Sequence, residues 1–124
     1  MAINMKKTAV IKKGEQNIIE VFLADNFFSR LFGLLPTKQL DYDSGLLIVP
    51  CRQVHTFNMK YPIDVVFLSE INVIVHIEEN MNPNKMTKYY REAKSVLEIA
   101  AGTAKRKGLN SGTALTIERE KERV

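Results

Sequence analysis

The run Pro62-Ile63-Asp64-Val65-Val66-Phe67-Leu68 constrains the fold of this chain more than any other stretch. Its branched and aromatic residues favour a pleated strand. Apolar side chains occupy both alternating faces, so that strand must be covered on both sides and lie inside a sheet. One residue breaks the pattern. A carboxylate at Asp64 costs on the order of several kcal/mol in such a strand unless donors meet it. The sequence offers Arg30, Lys60, His55 and the backbone of the turn at 60–62. An Arg30–Asp64 clamp would be structural, whereas the same groups around an open pocket would bind a ligand.

The remainder of the chain supplies a sheet for this strand. Residues 6–13 alternate, residues 14–17 carry turn chemistry, and residues 18–24 form a second branched and aromatic run, which predicts a hairpin. Asp25 is a candidate N-cap for a short helix over NFFSRLFGLL, stopped by Pro36. Strands are expected at 45–50, 54–59 and 63–69, with a hairpin turn leading into 73–78. Residues 79–91 have no clean period and read as a mobile loop. A strand at 95–100 precedes one or two helical turns with Thr103 as N-cap, and a closing strand at 113–118 ends in a charged tail, 119–124. About eight short strands and two short helices, mostly neighbours in sequence, predict a mainly β (α+β) domain, an antiparallel barrel or sandwich.

Composition bounds the function classes. The 124 residues are 45% apolar, which fits a single domain spanning 1–124 with a core of its own. One cysteine permits no internal disulfide and favours a reducing compartment. The N-terminal residues lack a signal-like apolar run and no stretch is long enough for a membrane span, so a cytoplasmic protein without membrane association is expected. The 18 basic and 14 acidic residues give a formal charge of +4. The lysines fall in scattered pairs, and nucleic-acid binding is therefore the weaker alternative.

The candidate chemistry gathers between Cys51 and Asp64. A Cys51 thiolate with His55 as base and Asp64 as orienter has the residue types of nucleophilic catalysis. In an extended strand, however, Cys51 and His55 stand about 13 Å apart at roughly 3.3 Å per residue. A zinc site would need a turn between them, with His76 and Asp64 completing it, so neither metal nor cofactor is expected. A lone cysteine after an apolar strand is more often a small buried hydrophobe.

Several stretches together resemble the domain-of-unknown-function family 192. They are Arg30-Leu31-Phe32-Gly33-Leu34-Leu35, Gly45-Leu46-Leu47, Val54-His55-Thr56-Phe57-Asn58-Met59-Lys60, the Pro62-Ile63-Asp64 strand, Val96-Leu97-Glu98 with Ala101-Gly102, and Gly108-Leu109. The resemblance covers about 24–118. It implies a small, mainly β domain of bacterial and archaeal type with no established activity, and marks Arg30, Gly33, Gly45, Thr56, Met59, Pro62, Asp64, Glu98 and Gly102 as motif residues. Relatives often carry Phe-Trp-Met where this chain has Phe57-Asn58-Met59, and many are exported.

The expected function is a non-catalytic binding or accessory module. Its polar pocket would be built from Arg30, His55, Thr56 and Asp64, for a small polar ligand or a protein partner segment. A hydrolase or transferase using Cys51 and His55 is the rival. The sequence carries no signal for oligomeric state.

Overall fold

In the computed structural model, residues 8–24 and 42–120 are described. Among them the chain runs β1 (Thr8–Lys13), β2 (Gln16–Ala24), β3 (Ser44–Ile48), β4 (Ile63–Leu68), β5 (Ile74–Met81), β6 (Ser95–Ala100), α1 (Thr103–Arg106) and β7 (Thr116–Arg119). The seven strands form one sheet in the order β5-β4-β6-β3-β2-β1-β7. The helix expected over NFFSRLFGLL, with Arg30 and Gly33, lies outside the described residues.

The mainly β, α+β class holds, with two differences in detail. First, the sheet is mixed, because β2 and β3 pair in parallel. Parallel neighbours need a crossover of a dozen or more residues, and the connection through 25–43 has that length. Second, among the described residues no ladder closes the sheet into a barrel. Its margins meet instead at a single bridge, Val73 to Ala114, flanked by Ile74 N–H donating to Thr113 O and Leu115 N–H to Asn72 O, both at 2.9 Å. The sheet therefore curls around its inner face.

Strand alternation sorts the core onto the two faces. Ile11, Val21, Leu47, Val66, Leu97 and Ile99 are among the side chains packed on the inner face. The outer face carries Ile63, Val65, Phe67 and Val96 in one cluster and Ala24, Leu46 and Ile48 in another. β4 is buried at every residue and flanked by β5 and β6, the interior position its sequence requires. At Gly45 a Cβ would lie 2.8 Å from Ile99 Cγ2 and 2.9 Å from the Glu98 carbonyl oxygen. Only glycine lets β3 approach β6 there.

Residues 54–59 are not the expected strand. Asn58 adopts φ 67°, which breaks the pleat. Segments 51–56 and 84–94 run side by side instead, joined by Thr56 N–H to Lys85 O, Thr87 N–H to Val54 O, Tyr90 N–H to Arg52 O and Cys51 N–H to Lys94 O. They roof the outer face. The loop expected to be mobile is thus held by a regular set of backbone bonds.

Candidate functional site

Asp64 is fully buried, and its partners are backbone amides. Oδ1 accepts Asn80 N–H at 2.8 Å, while Oδ2 accepts Gly102 N–H and Ala104 N–H, each at 3.0 Å. Thr103 was the expected N-cap; Gly102 takes that position with φ 90° and has no side chain to offer. The capping oxygen comes from β4 instead. One carboxylate thereby bolts β4, the end of β5 and α1 together. Neither Lys60, His55 nor the turn at 60–62 supplies these donors, and Arg30 lies outside the described residues.

Thr56 is also fully buried. Its hydroxyl donates to Asn82 O at 2.6 Å and accepts Lys85 N–H at 3.0 Å, fixing the turn that follows β5. Thr56→Val should lower stability by about 1–2 kcal/mol, read from a urea midpoint, because it removes the hydroxyl partner of a part-buried amide and carbonyl. An unchanged midpoint would contradict that role.

The three residues of the catalytic reading do not converge. Asp64 pairs with Ile99 across the β4–β6 ladder and shares the inner face with it, whereas Cys51 packs on the outer-face clusters. The sheet stands between them. His55 is exposed, its ring stacked on Phe57 at 4.6 Å and its Nδ1 accepting Phe57 N–H at 3.3 Å. Cys51 Sγ donates to Gln53 O at 3.3 Å. His76 is engaged elsewhere, 2.7 Å from Glu78 Oε2 and stacked on Tyr90. Among the described residues no three His, Cys, Asp or Glu side chains come together to hold a metal ion.

A second buried carboxylate emerges at Glu98, which is 7% exposed. It sits on the outer face in one row with Leu46 and Val65. Cys51 and Met59 touch the clusters on both sides of that row and so cover it. Burial pushes the Glu98 carboxyl up to about 7. Burial first, and the Glu98 carboxylate second, also push up the Tyr61 phenol, whose buried hydroxyl has no hydrogen-bond partner among the described residues. The signal was present in the sequence, since SVLEIA places a carboxylate in a doubly apolar strand just as the Asp64 run does.

The described residues also form an open polar cleft of about 240 Å³. Leu47, Val49 and Ile117 give it an apolar floor; Glu70, Asn72, Lys94, Ser95 and Arg119 give it polar walls. Ser95 pairs with Leu68 at the opposite end of the β4–β6 ladder from Asp64, so the cleft opens at the end of the curled sheet that α1 leaves uncovered. Sequence reading missed it because its floor and walls come from four separate stretches.

The family's sequence profile matches residues 8–117, nearly the whole described chain. The chain belongs to DUF192, described as an uncharacterized ACR family. The match begins at Thr8 rather than near Ala24, so the first hairpin is part of the DUF192 domain. A crystal structure from Sinorhizobium meliloti 1021, described as a "putative transcription regulator", superposes with a TM-score of 0.74 at 29% identity, over 90% of this chain and 92% of that one. A protein of unknown function from Novosphingobium aromaticivorans DSM 12444 shares the fold with a TM-score of 0.73 at 21% identity, over 93% and 84% of the two chains. No curated protein matches the sequence. No helix among the described residues is long and apolar enough to cross a membrane.

Proposed function

We propose that this DUF192 domain is a non-catalytic binding module that takes a small polar ligand in the cleft between β7 and the β4–β5 turn. The observation that carries this reading is the division of polar groups. Asp64 and Thr56, expected to line a pocket, are enclosed and satisfied by backbone partners. The polar side chains around the cleft border open space. An apolar floor with a few converging polar groups is the usual make-up of a small-ligand site. Glu70 and Lys94 on the cleft walls suit a ligand bearing both an amine and a carboxylate. A ligand-sensing role accords with the Sinorhizobium meliloti relative being described as a regulator.

A thermal-shift series with free amino acids and small carboxylates tests this reading. A ligand at a hundred times its dissociation constant adds about 2.7 kcal/mol, which raises the melting temperature by roughly 10 °C in a domain of this size. The paired substitution Glu70→Ala and Lys94→Ala should abolish that shift without lowering the unliganded melting temperature by more than a few degrees. No shift with any such compound, or one that persists in the double variant, would defeat the assignment. The hydrolase or transferase reading makes a separate prediction. It requires that Cys51→Ala remove turnover of a model ester and that the native thiol label rapidly at low pH.

A further inference from the structure

We infer that the roof over the outer face is a docking surface for single-stranded nucleic acid. Segments 51–61 and 82–93, about a fifth of the chain, hold five cationic side chains (Arg52, Lys60, Lys85, Lys88, Arg91) and one acid, Glu92. That excess equals the formal +4 of the whole chain, so the rest of the molecule is balanced in charge. Neither segment alone is a dense basic stripe. The backbone bonds from Thr56 to Lys85, Val54 to Thr87 and Arg52 to Tyr90 place the two side by side and pool their charge.

The same surface exposes flat rings. Phe57, Tyr89 and Met86 are 43%, 60% and 62% exposed, and His55 is bridged to Met86 while its ring stacks on Phe57 at an interplanar angle of 22°. Rings among lysines are the two components of a sequence-tolerant single-strand site, in which bases stack and phosphates pair with cations. A duplex keeps its bases stacked on one another, and reading its groove takes a helix or a two-stranded ribbon. The only helix among the described residues, α1, has four residues and lies on the inner face, and the roof segments form an isolated bridge, His55–Met86, rather than a two-stranded ribbon. A lipid surface is less well matched, because interfacial binding takes a broad apolar face of Trp, Phe and Leu, whereas the roof exposes only Phe57, Met86 and Tyr89 among its cations. The exposed aliphatic Ile71 stands apart from the roof, on the β4–β5 turn.

Fluorescence anisotropy with labelled oligo(dT) and oligo(U) of about 12 nucleotides tests the inference, within the usual site size of such surfaces. Binding should weaken with salt at a log–log slope of about −2 to −3, as expected for three or four neutralised phosphates on a single strand. Lys85→Glu with Lys88→Glu should weaken it tenfold or more and flatten the slope. Phe57→Ala or Tyr89→Ala should each weaken it about fivefold or more, leaving the slope intact. All four positions are exposed, and melting curves of the variants should match the parent. Absence of binding at low salt, equal affinity for a duplex of the same length, indifference to these substitutions, or binding only to phosphatidylserine vesicles would each overturn the inference.

Discussion

Asp64→Ala is expected to lower the unfolding free energy by about 4 kcal/mol, measured by urea denaturation at neutral pH. The substitution leaves three N–H groups, from Asn80, Gly102 and Ala104, without acceptors in an enclosed site. Each orphaned buried donor costs about 1–3 kcal/mol, and some relief comes from local opening that admits water. Domains of ordinary size are stable by only about 5–15 kcal/mol, so the variant should lie near its unfolding threshold at 37 °C. Asp64→Asn should fall between parent and alanine variant, because it keeps one carbonyl oxygen but turns an amide donor toward other donors. A parent-like midpoint for either variant would contradict the structural role.

Glu98 makes the opposite prediction. Its carboxyl is pushed up to about 7 from the usual 4.5 by burial. The folded protein therefore keeps a proton that the unfolded chain releases between those values. Stability falls as pH rises through this window and is unaffected by Glu98 below it. A displacement of that size corresponds to roughly 3 kcal/mol. Glu98→Gln, which removes the charge and keeps the shape, should raise the melting temperature by roughly 10 °C at pH 8.5 and by little at pH 4.5. A variant that is less stable than the parent at pH 8.5 would show that the ionised carboxylate has a partner and that burial does not dominate.

The two carboxylates show how far the sequence could be read. In both the 63–68 and the 95–100 runs a single acid interrupts apolar residues on two faces, so the need for a compensating environment is visible without coordinates. What compensates is not. The donors to Asp64 lie 16, 38 and 40 residues away, and they are backbone amides, which carry no residue-type signal. Lys60, His55 and the backbone of the turn at 60–62 lie within nine residues of Asp64 in sequence, whereas the observed donors are distant in sequence and unmarked by side chain. Among the described residues no such set of donors meets Glu98, and burial displaces its proton equilibrium instead.

Strand positions were legible wherever alternation or a doubly apolar run persisted, as in β1, β2, β4 and β6. The failure at 54–59 is instructive. Val54, Thr56 and Asn58 alternate with His55, Phe57 and Met59 as a strand would, yet Asn58 turns to positive φ and its N–H meets Asn84 Oδ1 at 3.4 Å, so the pattern ends in a paired turn. The parallel β2–β3 contact was hidden for a different reason. Strands consecutive in sequence most often pair antiparallel, and only the length of the 25–43 connection hints at a crossover. The cleft and the cationic roof are assembled from distant stretches and could be seen only in three dimensions.

The central claim, that the Pro-Ile-Asp motif is a strut and that binding occurs elsewhere, is tested most directly by amide hydrogen exchange at Asn80, Gly102 and Ala104. If Asp64 holds them as the geometry requires, all three exchange only through opening nearly as costly as global unfolding. They should lose that protection together in Asp64→Asn while amides of the β1–β2 hairpin keep theirs. Rapid exchange of these three amides in the parent, with the surrounding strands still protected, would mean that the carboxylate is open to solvent and ligands, and would contradict the account.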